Sequence, residues 1–232
     1  MEKVLLYSGG MDSWLIDKLW KPNKKLFIRI HTKNNELEYK NLLSQIANGL
    51  IDNSNLIILD YDLSMFEMKD ANYYLPLRNL HFVTLAAHYG DTICLGATGS
   101  STHFDKNLTF AEKSENVINY LLSEKNLGKI KIVLPYMNIT KTELLKQYLE
   151  QGGDIDLAYK CTTSCYEPID NKPCMNCTSC ASKFTAFYNN GYKFDKQTIQ
   201  KFMNFVAAHK DLCKQDTLKT YVEIFNKQND CD

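Results

Sequence analysis

Short apolar runs alternate with stretches of helical spacing along most of this chain. Val4-Leu5-Leu6-Tyr7 is unbroken apolar, the mark of a strand buried on both faces. A glycine pair follows. Ser13 to Trp20 then has helical spacing and stops at Lys21-Pro22. Leu26 to Ile30 reads as a second strand, and Glu36 to Asn48 as a helix ended by Gly49. Asn55 to Asp62 is a third strand, and residues 64–75 show no clear period. Pro76 opens a helix that runs to Tyr89, with Gly90 at its end. A fourth strand covers Asp91 to Ala97, a polar loop Thr98 to Asn107, a helix Phe110 to Leu122 and a fifth strand Lys129 to Leu134. Thr140-Lys141-Thr142-Glu143 is a capping box before Leu144-Leu145, so one more helix begins there and ends near Gly152-Gly153.

Strands that alternate with helices predict an α/β fold, a Rossmann-like parallel sheet with helices on both faces. Two segments break the rhythm. Residues 161–180 are cysteine-rich and read as a metal-stapled insertion. From Asp195 the chain reads as helical, with Ile199, Phe202, Phe205 and Val206 at helix-like spacing. This tail packs either on the main domain or on a second subunit, as a homodimer would require.

Composition narrows the function classes. A chain of 232 residues, 44% apolar, suits one α/β domain with an appendage and excludes a disordered chain. Lys plus Arg, at 27, balances Asp plus Glu, at 27, so the footprint of a dedicated nucleic-acid binder is missing. No apolar run reaches membrane-span length, and Met1-Glu2-Lys3 leads straight into the first strand without a signal-peptide pattern. The expected location is cytoplasmic, where clustered cysteines bind metal more often than they pair.

Ser8-Gly9-Gly10-Met11-Asp12-Ser13 joins the first strand to the first helix, at the strand end where open α/β sheets bind ligands. Glycines let the backbone approach an anion, and the N–H groups of a helix start face phosphate oxygens. Ser8 and Ser13 add hydroxyls. Asp12 either holds Mg²⁺ or fixes the loop through backbone N–H groups. The turn is neither a Walker A loop nor a dinucleotide fingerprint. It resembles the S-G-G-x-D-S signature of PP-loop ATP pyrophosphatases, which cleave ATP between its α and β phosphates and adenylate a substrate. On that resemblance Ser8, Gly9, Gly10, Met11, Asp12 and Ser13 bind ATP.

Cys165, Cys174, Cys177 and Cys180 form C-x8-C-x2-C-x2-C. Four thiolates suit a closed tetrahedral Zn²⁺ site, with an iron–sulfur cluster as the rival. Cys161 competes as first ligand. Cys94 reads as a small hydrophobe on a strand, and Cys213 and Cys231 have no interpretable spacing.

Further elements, in order, resemble the 7-cyano-7-deazaguanine synthases of the queuosine pathway. Leu75-Pro76-Leu77-Arg78-Asn79 is similar to that family's V-P-x-R-N, and Thr140-Lys141 to its Thr-Lys before the last core helix. Thr162-Thr163-Ser164-Cys165-Tyr166 resembles T-W-S-C-Y, which selects Cys165 over Cys161 as zinc ligand. Cys174-Met175-Asn176-Cys177-Thr178-Ser179-Cys180 resembles C-G-x-C-x-x-C, and Ala186-Phe187 follows at the family's distance. The match spans residues 1–187. It implies a PP-loop (adenine nucleotide α-hydrolase) domain over 1–160, a zinc-binding segment over 161–187 and a helical extension over 188–232.

The resemblance implies an ATP-dependent C–N ligase. It activates a 7-deazapurine carboxylate, takes ammonia to an amide, then dehydrates the amide to a nitrile. ATP, Mg²⁺ and Zn²⁺ are the implied cofactors; the deazapurine acid and ammonia are the partners, with no membrane and no direct nucleic-acid contact required. Asp12, Arg78 and Lys141 are the catalytic candidates. Lys141, a cation at a helix N-terminus, would be explained by a bound anion.

The chain departs from the family where D-Y-G-Q is replaced by His31-Thr32-Lys33-Asn34, and where G-Y-P-D-C-R is replaced by the stretch Gly99 to Asn107. Asp105 takes the place of the family's Asp, with His103 and Asn79 as further substrate candidates. Three other readings fit: an enzyme that stops at the amide, a tRNA-thiolating enzyme using Cys161, and a noncatalytic nucleotide-binding zinc module.

Overall fold

The computed structural model describes residues 1–68, 74–99, 104–165, 168–170 and 172–229, the side chains of 228 and 229 excepted. Val4, Leu5, Leu6 and Tyr7 are all buried although successive side chains point to opposite faces. The strand they predict, β1 (Lys3–Leu6), is accordingly central. β2 (Lys24–Arg29), β3 (Leu56–Asp60), β4 (Thr92–Cys94) and β5 (Lys131–Val133) complete a sheet of order β3-β2-β1-β4-β5, parallel throughout. The chain winds outward from β1 to β3, then crosses back to β4, so the end of β1 lies at the topological switch point.

Helices cover both faces. α1 (Met11–Trp20), α2 (Lys33–Ala47) and α5 (Lys141–Glu150) pack on the face shown by Leu5, Tyr7, Phe27 and Cys94, where Trp14, Leu42, Leu144 and Leu145 are fully buried. α3 (Arg78–Ala86) and α4 (Leu108–Ser123) pack on the face shown by Val4, Leu6, Ile28 and Ile132 through Val83, Ala86, Ala111 and Ile118. The predicted α/β layers are therefore present. At α5 the capping box is complete: Thr140 Oγ1 accepts from Glu143 N, and Thr140 N donates to the Glu143 carboxylate.

Several predicted boundaries move; α2, for one, begins at Lys33 rather than Glu36. Pro76 does not open α3. Leu77, in the left-handed region at φ 60°, stands between them, and its carbonyl accepts the first helical bond, from His81 N. The helix therefore starts at Arg78. α1 begins at Met11, two residues early, because extended Gly10 already serves as its cap.

The cysteine-rich part is flanked by helices that the spacing did not predict, α6 (Ile155–Cys161) and α7 (Thr178–Asn189). α7 is buried on two sides. Ala186 and Phe187 enter the core beneath the sheet, while Ala181 and Phe184 meet α8 (Lys196–Ala208) and α9 (Gln215–Asn229). Phe184 stacks on Phe202 at 4.1 Å and on Phe194 at 4.3 Å between centroids. The tail thus packs on this chain's own α7. No described helix is long and apolar enough to cross a membrane.

Candidate active site and metal centre

The glycine turn is braced from inside. Ser13 Oγ accepts from Ser8 N at 3.1 Å and donates to the Gly10 carbonyl at 3.1 Å, while Gly10 N donates to Ser8 Oγ at 3.2 Å. Gly9 sits at φ 74°, and a Cβ there would lie 3.1 Å from the Glu38 carbonyl oxygen, so only glycine fits. Met11 N donates to the Thr163 carbonyl at 3.0 Å. That bond commits one N–H of the helix start to protein. The N–H groups of Asp12 and Ser13, next in the first turn, have no helical carbonyl to bond, as the first N–H groups of a helix do not.

The turn is also held from α2. Asn41 Nδ2 donates to the Gly9 carbonyl at 2.7 Å and to the Cys161 carbonyl at 2.8 Å. Gln45 Nε2 reaches the same two carbonyls at 3.2 and 2.8 Å, and Tyr7 Oη donates to Gln45 Oε1 at 2.5 Å. One polar cluster therefore fixes the glycine turn to the end of α6.

Among the described residues no backbone N–H donates to the Asp12 carboxylate. Both its oxygens accept from Lys141 Nζ, at 2.7 and 2.8 Å, and Thr98 Oγ1 lies 3.4 Å away. This pair explains the cation at the N-terminus of α5: its anion is a residue of the turn itself.

A cavity of about 200 Å³ opens above the turn. It gathers Ser8, Asp12, Lys141, Arg78 and Asn79 from three separate parts of the sequence. Arg78 Nε is buried without a hydrogen-bond partner among the described residues, and so is Thr163 Oγ1 on another wall of the cavity. Buried donors left unpaired in a protein point to a ligand. Asn79 Nδ2 donates to Asp105 Oδ2 at 2.8 Å and to its carbonyl at 3.1 Å, so two of the substrate candidates meet. His103 lies outside the described residues.

Two cavity groups were not singled out by sequence. Lys106 lines the wall beside Arg78; burial, then the Arg78 charge, pushes its ammonium down to about 8. Glu38 of α2 faces the turn, and burial pushes its carboxyl up to about 7 against the pull of the Ser8 hydroxyl and of Arg78, Lys106 and Lys141. The signal that would have found Glu38 is the polar stripe Asn34, Glu38, Asn41, Gln45 along one face of a helix.

The first departure from the family pattern is itself ordered. Arg29 forms a two-pronged bond with Glu36 at 2.8 and 3.0 Å, and His31 Nε2 lies 2.6 Å from Asp60 Oδ1.

Cys165, Cys174, Cys177 and Cys180 converge, their sulfurs all within 4.8 Å of one another. Cys174 N donates to Cys165 Sγ at 3.2 Å, Asn176 N to Cys174 Sγ at 3.3 Å and Cys180 N to Cys177 Sγ at 3.5 Å. Amides that donate to sulfur favour the thiolate. Without a cation the set is costly: burial, with Cys165 and Cys177 beside it, pushes the Cys174 thiol up to about 12. Four sulfurs at this spacing fit a tetrahedral ion with S–Zn bonds of about 2.3 Å. Cys161 stands outside this set, and burial pushes its thiol up. Lys183 closes the segment from α7, donating to the carbonyls of Tyr159, at 3.0 Å, and Thr162, at 2.5 Å.

An α/β enzyme of the PP-loop class is what this sheet, and the braced turn at its switch point, define. The chain belongs to a particular family within it, that of the queuosine biosynthesis protein QueC, whose model matches residues 17–191. A 7-cyano-7-deazaguanine synthase of Sulfurihydrogenibium sp. (strain YO3AOP1) is 28% identical, covering 78% of this chain and 91% of its own. The synthase of the same name from Archaeoglobus fulgidus is 23% identical, over 91% and 96% of the two chains. Among solved structures, an NMN synthetase from Francisella tularensis aligns over 90% of this chain and 85% of its own at 12% identity, with a TM-score of 0.44.

Proposed function

We propose that this enzyme activates a 7-deazapurine carboxylate with ATP, amidates it with ammonia and carries the amide on to 7-cyano-7-deazaguanine. The observation that carries this reading is the convergence of Arg78, Lys106 and Lys141 on the cavity above the braced turn. Three cations around one small cavity suit a reaction in which a carboxylate attacks a triphosphate, since both reactants are anions.

The roles follow from position. The N–H groups of Asp12 and Ser13, with the hydroxyls of Ser8 and Ser13, hold the departing pyrophosphate. Lys141, oriented by Asp12, neutralises charge that develops on the phosphates. Mg²⁺ supplies further charge neutralisation when it arrives with ATP, and Asp12 is the hard oxygen donor nearest the turn. Arg78 uses its unpaired Nε on the substrate carboxylate, and Lys106 faces the same space. Asn79 sets the orientation of Asp105, which takes an N–H of the deazapurine. Attack of the carboxylate on the α-phosphorus expels pyrophosphate and leaves an acyl adenylate. Ammonia then displaces AMP.

Zn²⁺, held by Cys165, Cys174, Cys177 and Cys180, supplies folding energy, because four thiolates leave no open position for chemistry. Its segment presents the Thr163 carbonyl to Met11 N and so supports the turn. In this reading the three parts of the chain are residues 1–160, 161–187 and 188–232, acting on free small molecules.

The test is formation of AMP and pyrophosphate from ATP by the purified protein with 7-carboxy-7-deazaguanine and ammonium. Stoichiometric release that depends on the acid is expected. Tight ATP binding without release, whatever acid is supplied, contradicts an enzyme of this kind.

A further inference from the structure

The proposed reaction needs a group that none of the roles above provides. When ammonia adds to an acyl adenylate, the new C–N bond leaves nitrogen positively charged. One N–H proton must leave before the tetrahedral carbon can collapse, break its C–O bond to AMP and retain the nitrogen. Water is a poor acceptor in a closed cavity, so a base within reach is required.

Two carboxylates line the cavity near the turn. Asp12 is occupied, with both oxygens on Lys141 Nζ. Glu38 forms no ion pair among the described residues. Its Oε1 comes so close to the turn that a Cβ on Gly10 would lie 3.3 Å from it, and the Ser8 hydroxyl beside it favours the ionised carboxylate. The charged groups around Glu38 are Arg78 of α3, Lys106 of the loop after β4 and Lys141 of α5, with Asp12 of α1 on the same cavity and already paired to Lys141. None of these groups forms an ion pair with Glu38 among the described residues. A carboxylate in this position keeps a free lone pair toward the cavity.

Resting on the amidation reading above, we propose that Glu38 is the base of the amide-forming step, taking the proton that the attached ammonia nitrogen sheds. The proton moves from nitrogen to a Glu38 carboxylate oxygen, the electron pair of the N–H bond stays on nitrogen, and AMP departs with the electrons of the C–O bond. The protonated carboxyl then returns its proton to solvent after the amide leaves. Burial supports the assignment, since a carboxyl pushed up to about 7 is basic enough to accept this proton and still ionised near neutral pH.

The experiment compares nucleophiles on the full-length protein supplied with ATP and 7-carboxy-7-deazaguanine. Hydroxylamine gives an adduct whose nitrogen is far more acidic than that of the ammonia adduct, so it sheds its proton to water with little help. E38Q is expected to lower the ratio of amide to hydroxamate formation by about 10²-fold or more, the usual size of general-base assistance. A merely structural role would depress both products together, and an unchanged ratio overturns the proposal. For the case in which E38Q fails to fold, the wild-type protein supplies the second measurement. Amide formation, plotted against the concentration of free ammonia, is expected to fall on the acid side of about pH 7, whereas hydroxamate formation should show no such limb. Identical profiles for the two nucleophiles overturn the proposal. Wild-type protein that makes neither product contradicts the amidation reading itself, before Glu38 is in question.

Discussion

Lys141 and Asp12 lie far apart in sequence and meet on the cavity, both Asp12 oxygens accepting from the Lys141 ammonium at 2.7 and 2.8 Å. Neither charge is dispensable to the other. K141M removes the cation from the phosphate position and also leaves Asp12 unpaired beside an anionic ligand. Acyl-adenylate formation should fall by roughly 10²- to 10³-fold, as for loss of one transition-state charge contact, with a higher KM for ATP. Pyrophosphate exchange measures both. K141R is not expected to restore full activity, since a planar fork cannot reproduce the geometry of an ammonium centred between two oxygens.

The same cavity makes a stability prediction. The carboxyl of Glu38 is raised from an ordinary 4.5 to about 7, so the folded state binds its proton more tightly than the unfolded state does. Stability linked to that proton is present below 4.5 and is lost as pH rises through 7. E38Q, which keeps the neutral shape, should therefore match wild type in unfolding midpoint near pH 4 and exceed it near pH 8, a difference readable by thermal melts.

At this scale the sequence was informative wherever chemistry is written in local spacing. Ser8 to Ser13, the four clustered cysteines, Arg78 and Lys141 were all legible as candidates; the fold brings the four sulfurs within 4.8 Å of one another and places Ser8, Asp12, Arg78 and Lys141 on one cavity. Glu38, Lys106, Thr163, Asn41 and Gln45 were not. Each acquires its meaning only when α2, the loop after β4 and the cysteine segment fold onto the turn.

Among the elements, the cysteine segment does more than close on itself. Thr163 stands two residues before Cys165 of the four-cysteine cluster, and its carbonyl holds Met11 N at the start of α1. Zinc loading should therefore be felt at the nucleotide turn. Metal analysis is expected to return about one zinc per chain. C177S should lose that zinc, weaken ATP binding by about tenfold or more and speed hydrogen exchange at Met11, the last two following from the lost Thr163 bond. Exchange at Met11 that ignores metal loss would show that the two sites are independent.

α6 and α7 are also where element reading from sequence failed. α7 begins with Thr178-Ser179-Cys180, residues of indifferent helix propensity, yet the Cys177 sulfur caps it by accepting from Cys180 N at 3.5 Å. Tertiary burial of Phe184, Ala186 and Phe187 then outweighs propensity. The five strands were legible because their apolar runs are local. α3 was placed two residues early because Pro76 suits a turn as well as a first helical turn, and the left-handed Leu77 leaves no signature in sequence.

For the molecule as a whole, α7 is the pivot. One side belongs to the core under the sheet, and among the described residues the other is covered chiefly from the tail, through Phe194, Phe202, Val206 and Ile224. Removing residues 195–232 uncovers Phe184 and Ala181. Burial of one such ring stabilises by about 1.5–3 kcal/mol, so the truncated chain should melt several degrees lower, if it folds, and bind a dye for exposed apolar surface. An unchanged melting midpoint would assign the tail another purpose.

The chain departs from the family pattern at His31 to Asn34 and at Gly99 to Asn107, and of the described residues there Asn34 and Lys106 line the cavity, while the turn Ser8 to Ser13 keeps the family's residues. The turn sets how a substrate is activated; the product depends on what the altered side accepts. The most direct measurement is therefore mass spectrometry of the product made from 7-carboxy-7-deazaguanine, ATP and ammonium. The proposed function predicts 7-cyano-7-deazaguanine, with the amide as an intermediate that is consumed. Accumulation of the amide alone, or an unreacted acid beside intact ATP, would contradict it.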